Sequence, residues 1–290
     1  MHMLEYVRAS TVEEALNAVK LAKGPVLYFA GGTDILVKAR EKECYYDRSV
    51  IDIYEVKALK GVTDCGDTLR IGALTTHAEI AESSLIQRYA TILSLASATV
   101  GSPQIRNHAT IGGNIANASP AADTFSALAV LHALVEVRRT GETMTLSLCD
   151  VVLGPYKTSL QNGDLITAVI IRKLPEGCQS NFYKLGRRRA LAISRMTVST
   201  VLQMNKDGKV MYFDMTLGAT FPQPLRFDDI SAMLIGKKND EMDIAAVAKA
   251  ISNKIPEIAG IRHSTQYKQP VAEKLAVRIL KKMILGENDE

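Results

Sequence analysis

The sequence predicts an α+β protein built as two domains. Three observations carry that expectation. The chain has 290 residues, more than one small hydrophobic core organises, and chains of this size divide. Helix and strand patterns alternate as far as about residue 175. Beyond it, two long apolar strands are followed only by helical patterns, the order of an α+β block. The change at Leu174-Pro175-Glu176-Gly177 sets the boundary, giving domains 1–176 and 177–290.

The first element is a helix over 12–22. Thr11 and Glu14 have capping-box spacing, Val12, Ala15, Leu16, Val19 and Ala22 recur at helical intervals, and Gly24-Pro25 ends it. Val26-Leu27-Tyr28-Phe29 reads as a buried strand that runs straight into Ala30-Gly31-Gly32-Thr33-Asp34. Strands follow over 49–53 and 68–71, then a helix over 84–99. Residues 101–124 are small and turn-forming with little apolar periodicity, a long loop of the kind that usually carries function in a compact domain. A helix over 124–132 comes next. Strands over 134–138 and 143–146 flank a turn at Thr140-Gly141-Glu142, and an apolar strand over 165–171 closes the domain. In the second domain, strands over 193–204 and 210–217 are joined by Asn205-Lys206-Asp207-Gly208-Lys209, whose Asp-Gly pair favours a hairpin. Helices are expected over 227–235, 242–254 and 267–284.

Hydrophobic residues make up 47% and charged residues 23% of the chain, the balance of a folding globular protein, and the net charge is +4. The one dense basic run, Arg187-Arg188-Arg189, reads either as a solvated face or as a dock for an acidic partner or an NAD phosphate, and with acidic residues spread throughout, nucleic acid is not an expected partner. No stretch of ~18 apolar residues is present to span a membrane. The N-terminus lacks the basic and apolar regions of a secretory signal. Cys44, Cys65, Cys149 and Cys178 are far apart and form no C-x-x-C pair. They read as ordinary thiols, with no zinc or iron–sulfur cluster on this chain, in a cytoplasmic protein. The five histidines are isolated, and His108 reads as a surface loop residue, so no metal site is expected.

Chemistry is most readable at Ala30-Gly31-Gly32-Thr33-Asp34 and Thr110-Ile111-Gly112-Gly113-Asn114. Paired glycines let a backbone approach a ligand closely or adopt positive φ. Consecutive N–H groups in such a segment make a concave anion site, and Thr33, Thr110 and Asn114 add side-chain hydrogen bonds. Either pair alone is more often a turn. Two such loops meeting in space suit a pyrophosphate. Neither G-x-G-x-x-G nor G-x-x-x-x-G-K-[ST] occurs, which disfavours a doubly wound NAD domain and a P-loop NTPase.

The run from Ser102-Pro103-Gln104-Ile105-Arg106-Asn107-His108-Ala109 through Thr110-Ile111-Gly112-Gly113-Asn114 to Asp123-Thr124 resembles the long FAD signature of the xanthine dehydrogenase and carbon monoxide dehydrogenase flavoprotein subunits. The first glycine segment resembles that family's first FAD loop. Tyr183-Lys184-Leu185-Gly186-Arg187-Arg188, Leu217-Gly218-Ala219 and Gly260-Ile261-Arg262-His263-Ser264 resemble landmarks of its C-terminal domain. The resemblance implies a vanillyl-alcohol-oxidase-type FAD-binding domain of two α/β subdomains, about 1–55 and 56–176, followed by a small α+β domain of antiparallel sheet plus helices. It implies a division of labour as well. A large partner subunit holds the molybdenum cofactor and oxidises the substrate. A small partner holds two [2Fe–2S] clusters. This chain takes electrons at FAD and passes them to an acceptor such as NAD.

Carried over by position, the resemblance places Phe29, Ala30, Gly31, Gly32, Thr33, Asp34 and Ile35 around the FAD phosphates, with Thr110, Ile111, Gly112, Gly113 and Asn114 as a second clamp. Val100 and Ile166 would line the flavin ring, Asp123 would contact cofactor hydroxyls, and Lys184 would face negative charge on the reduced ring. The chain departs from some relatives in two ways. It has no cysteine-rich insert for a [4Fe–4S] cluster, and Phe125 stands where relatives often have proline. Two rival readings remain: a stand-alone flavin oxidoreductase, and an assembly subunit that no longer binds flavin.

Overall fold

The computed structural model describes residues 5–41, 47–188 and 191–286. Strand β1 (Glu5–Arg8), helix α1 (Val12–Leu21), strand β2 (Val26–Phe29), helix α2 (Ile35–Glu41) and strand β3 (Ser49–Asp52) make a small α/β unit. Its three strands are parallel in the order β1-β3-β2. Thr11 caps α1 as expected, its Oγ1 accepting from the Glu14 N–H at 3.1 Å. The return bond differs: the Glu14 carboxylate accepts from Ser10, one residue outside the cap, at 2.7 Å. Ala15 and Leu16 of α1 pack on Ile51, and the same core takes in Leu74 and Leu165 from the next unit. The Asn162 side chain accepts from the Val26 N–H (2.7 Å) and the Gly163 carbonyl accepts from Tyr28 Oη (2.9 Å). Strand β2, and with it the first glycine segment, is thereby held to the second unit.

That unit begins with strands β4 (Val62–Asp64) and β5 (Thr68–Gly72). Helices α3 (His77–Glu82), α4 (Ser84–Tyr89), α5 (Thr91–Ala98), α6 (Pro103–Arg106), α7 (Ile111–Asn117) and α8 (Phe125–Val130) follow. Strands β6 (Leu134–Arg139) and β7 (Glu142–Ser147) come next, then helix α9 (Leu148–Val151) and the short strands β8 (Val152–Gly154) and β9 (Lys157–Thr158). Strand β10 (Leu165–Arg172) completes an antiparallel sheet ordered β4-β5-β10-β6-β7. Leu69, Ile71, Val135, Val137, Val169 and Ile171 form one core with Ile80, Leu93, Ile111, Ile115 and Leu128 from the helices. Each such fully buried aliphatic side chain contributes roughly 1.5–3 kcal/mol of transfer free energy.

Two expectations need correction here. The helix over 84–99 is two helices, because Ala90 leaves helical geometry (φ −150°, ψ 44°) between α4 and α5. The long loop over 101–124 contains two helices, α6 and α7. Ile111 and Ile115 sit four residues apart on one face of α7 and are fully buried, and small residues bring that helix close to β5. A Cβ on Gly112 would lie 2.7 Å from the Cβ of Ala73.

The second domain holds strands β11 (Gln179–Leu185), β12 (Met196–Met204) and β13 (Val210–Gly218), antiparallel in that order. Helices α10 (Asp228–Ala232), α11 (Ile244–Ala259) and α12 (Thr265–Leu285) supply the other side of its core. The expected hairpin is present: Asn205 Oδ1 accepts from the N–H groups of Asp207 and Lys209, and Gly208 has φ +73°. The two domains abut along α8 and β12. Ser126 Oγ bonds Thr197 Oγ1 at 2.7 Å and Ser199 Oγ at 2.9 Å, all in the interior.

Candidate cofactor-binding site

The two glycine segments meet. A Cβ on Gly31 would stand 1.7 Å from the carbonyl oxygen of His108, so only hydrogen fits between the two stretches of backbone. Gly32 has φ +73°, in the region that favours glycine, and a Cβ there would lie 2.8 Å from the Phe29 ring. Of the four segment glycines, only Gly32 takes positive φ. The other three are needed for close approach.

The segments then differ in what their backbones offer. In the second, the four N–H groups after Thr110 are all engaged. Ile111 donates to Thr75 O (3.1 Å), Gly112 to Ala73 O (2.9 Å), Gly113 to Thr110 Oγ1 (3.1 Å) and Asn114 to Thr110 O (2.9 Å). In the first, the N–H groups of Gly31, Gly32, Thr33 and Asp34 have no hydrogen-bond partner among the described residues. Four consecutive free donors at the turn from β2 into α2 are of the kind that suits an anion. The expected run of unpartnered N–H groups therefore exists in the first segment alone, while the second packs against the sheet as a buttress.

Between them lies a cleft of about 370 Å³. Ala30, Gly31, Gly32, Thr33 and Asp34 of the first segment and the adjoining Ile35 line it, with Thr110, Gly113 and Asn114 of the second and the apolar Val100 and Ile105. Gly112 and Ile166 line an adjoining recess of about 80 Å³ that shares Ala30, Thr110 and Gly113 with the cleft. Phe29 supports Gly32 from beneath, and Ile111 is fully buried in the core.

Asp123 and Lys184 do not line the cleft. They pair with each other across the domain boundary at 2.6 Å, nearly buried at 9% and 13% side-chain exposure. Lys184 also donates to Thr99 O at 2.9 Å, next to Val100, and Ser194 Oγ donates to Asp123 at 2.5 Å. Burial pushes the Asp123 carboxyl up, while the bonds from Lys184 and Ser194 pull it down.

The structure adds residues that sequence reasoning missed. Asn117, at the end of α7, donates to Asp34 Oδ1 at 2.8 Å and accepts from Lys38 Nζ. The Lys38 ammonium also sits 5.1 Å from the centre of the Tyr156 ring. His77 lines the cleft yet is wholly buried, and neither ring nitrogen has a partner among the described residues. Burial and the nearby Arg106 charge push its pKa down to about 4, so the ring is neutral near pH 7. His108 is exposed, as expected, and serves the site through its carbonyl. Cys44 and Arg189 lie outside the described residues. Among the described residues, no cluster of His, Cys, Asp and Glu could hold a metal ion, and no helix is long and apolar enough to cross a membrane.

This donor set suits an extended, pyrophosphate-bearing cofactor. A row of free N–H groups adjoins a contact where a Cβ has no room, and Val100 and Ile105 add apolar lining. Residues 2–173 match the profile described as the FAD binding domain in molybdopterin dehydrogenase, and residues 181–283 match the CO dehydrogenase flavoprotein C-terminal domain. The chain belongs to the FAD-binding subunits of the molybdopterin dehydrogenases, and so to the oxidoreductases, with FAD as its own cofactor. Among its relatives is the nicotinate dehydrogenase FAD-subunit of Eubacterium barkeri, 32% identical with both chains covered in full. The xanthine dehydrogenase FAD-binding subunit of Escherichia coli O157:H7 is 26% identical, covering 96% of this chain and 95% of that one. Among solved structures, carbon monoxide dehydrogenase from Hydrogenophaga pseudoflava has the same fold, with a TM-score of 0.85 at 23% identity and 96% of each chain covered.

Proposed function

We propose that the chain is the electron-transfer subunit of a molybdenum hydroxylase complex. Electrons arrive from two [2Fe–2S] clusters on a small partner subunit and leave through FAD to NAD or another acceptor. A molybdopterin-binding large subunit oxidises the organic substrate. The cofactor supplies the redox chemistry, and this chain supplies position, shielding and electrostatics. Relatives include a nicotinate dehydrogenase FAD-subunit and a carbon monoxide dehydrogenase medium chain, names that denote parts of larger enzymes and support a partnered role. The scattered cysteines of this chain agree with clusters carried elsewhere.

In this reading the free N–H groups of Gly31, Gly32, Thr33 and Asp34 receive the pyrophosphate, with Phe29, Ala30 and Ile35 shaping the turn. Thr110 and Asn114 contribute side chains, and Ile111, Gly112 and Gly113 hold the opposite wall. Val100 and Ile166 give apolar contact to the flavin. The Asp123–Lys184 pair lies outside the cleft lining but bonds Thr99 O beside Val100, from where its charges bias the ring's electron affinity. The observation that carries the reading is the run of four free N–H groups closed by the Gly31–His108 contact.

The test is the visible absorption spectrum of the full chain after mixing with FAD and desalting, followed by NADH addition to the complex co-expressed with candidate partners. Retained oxidised-flavin bands that NADH bleaches in the complex are expected. A chain colourless both alone and in the complex would refute the reading.

A further inference from the structure

A dinucleotide pyrophosphate carries two negative charges. Backbone N–H groups stabilise them only as partial charges, and burying an anion without a countercharge is costly. Among the described residues lining the cleft, Lys38 is the sole Lys or Arg, and Asp34 is the sole carboxylate. Lys38 is on α2, one turn beyond the free N–H groups, and its ammonium bonds Asn117 at the end of α7. It therefore joins the helix that follows the first glycine segment to the helix that contains the second.

What holds this ammonium is informative. Its two direct contacts are an amide oxygen and the face of the Tyr156 ring, both neutral, while the Asp34 carboxylate acts on it through space from beyond contact. No carboxylate stands within ion-pair distance of it among the described residues. Asn117 lies between Lys38 and Asp34 and bonds both, so the lysine is fixed without being neutralised by direct pairing. The Asp34 carboxylate accepts hydrogen bonds and cannot receive a phosphate; it suits hydroxyl donors such as those of a ribose. A lysine stem with rotatable donors can leave an amide oxygen for a phosphate oxygen without moving its helix.

We propose that Lys38 supplies the positive charge that offsets the cofactor's pyrophosphate, held ready by Asn117 and Tyr156 until the anion arrives. This rests on the cleft between the glycine segments being the FAD site. Nothing in the glycine segments themselves points to this residue.

The experiment titrates the full chain with FAD, read by flavin fluorescence, in low-salt and high-salt buffer. Wild type, Lys38→Met and Lys38→Arg are compared, each first shown by thermal melt to be folded without FAD. Lys38→Met removes the charge and keeps most of the stem. It should weaken FAD binding about tenfold at low salt and lose most of the salt dependence seen in wild type. Lys38→Arg should stay within about threefold of wild type and keep the salt dependence. Wild-type affinity and salt slope in Lys38→Met would overturn the proposal. So would equal weakening in both variants with the salt slope unchanged, since that pattern marks a packing role. If wild type takes up no FAD either alone or in the complex co-expressed with its partners, the assignment of the cleft fails, and the role of Lys38 fails with it.

Discussion

The α-carbon of Gly31 faces the carbonyl oxygen of His108 so closely that a Cβ would approach it to 1.7 Å. Two segments 77 positions apart are thus in backbone contact at the mouth of the cleft. Gly31→Ala must push them apart. The expected result is loss of FAD on desalting and destabilisation by about 1–3 kcal/mol, the range for overpacking, read from a denaturation midpoint. Retention of FAD at wild-type level would show that the contact is dispensable.

Gly32→Ala strains the backbone through its φ of +73° and crowds the Phe29 ring. A ring can shift where a backbone carbonyl cannot. The stability loss should be about 1 kcal/mol, smaller than that of Gly31→Ala, with FAD binding weakened and still measurable. A larger loss here than at Gly31 would reverse the order of importance drawn from the geometry.

The buried Lys184–Asp123 pair should respond strongly to breaking one side. Lys184→Met leaves Asp123 in the interior with Ser194 as its remaining donor. A loss of about 3–5 kcal/mol is expected, with the double change to Lys184→Met and Asp123→Leu costing less than the sum of the two singles. Additive losses in a double-mutant cycle would mean that the two groups do not depend on each other.

At the other end of the domain contact, burial lifts the Asp214 carboxyl from 3.8 to about 6, against the pull of Arg226 and Ser231. A raised carboxyl pKa means that the folded state binds this proton more tightly than the unfolded state. The contribution of Asp214 to stability therefore falls as pH rises from about 4 to about 6, by up to about 3 kcal/mol, and is flat above. His132, 3.7 Å away, is held below its usual pKa and acts in the opposite sense. Stability measured against pH should lose the Asp214 component in Asp214→Asn; identical pH curves for the two proteins would refute the assignment.

His77 has two buried ring nitrogens without a partner among the described residues. Replacing it by a leucine of similar volume removes that unsatisfied pair. The FAD-free His77→Leu chain should melt at or above the wild-type temperature, because an orphaned buried polar group costs about 1–3 kcal/mol. A clear drop in melting temperature would reveal a hydrogen bond that the ring makes in solution.

How much of this could be read beforehand depends on the range of the interactions. Strand β2 running into a glycine pair was legible, because four apolar residues followed by Gly-Gly is a local pattern. Helix α7 was not, since Ile-Gly-Gly-Asn-Ile-Ala-Asn is rich in turn formers, and only Ile111 and Ile115 mark its buried face. Residues 84–99 looked like one helix because no glycine or proline marks the break at Ala90. Lys38 and Asn117 bond across 79 positions, and no local pattern anticipates such a contact. Asp123 and Lys184 were each singled out by resemblance, but their bond to each other appears only once β11 is folded against the first domain.

That last bond also has a consequence in time. During synthesis, residues 1–176 leave the ribosome first, and Asp123 folds toward the interior before Lys184 and Ser194 exist to meet it. Until both have emerged, that carboxylate has no cation to face and keeps its surroundings hydrated. A prematurely terminated chain is therefore marked by an unpaired, hydrated Asp123 carboxylate where the second domain would have met the first.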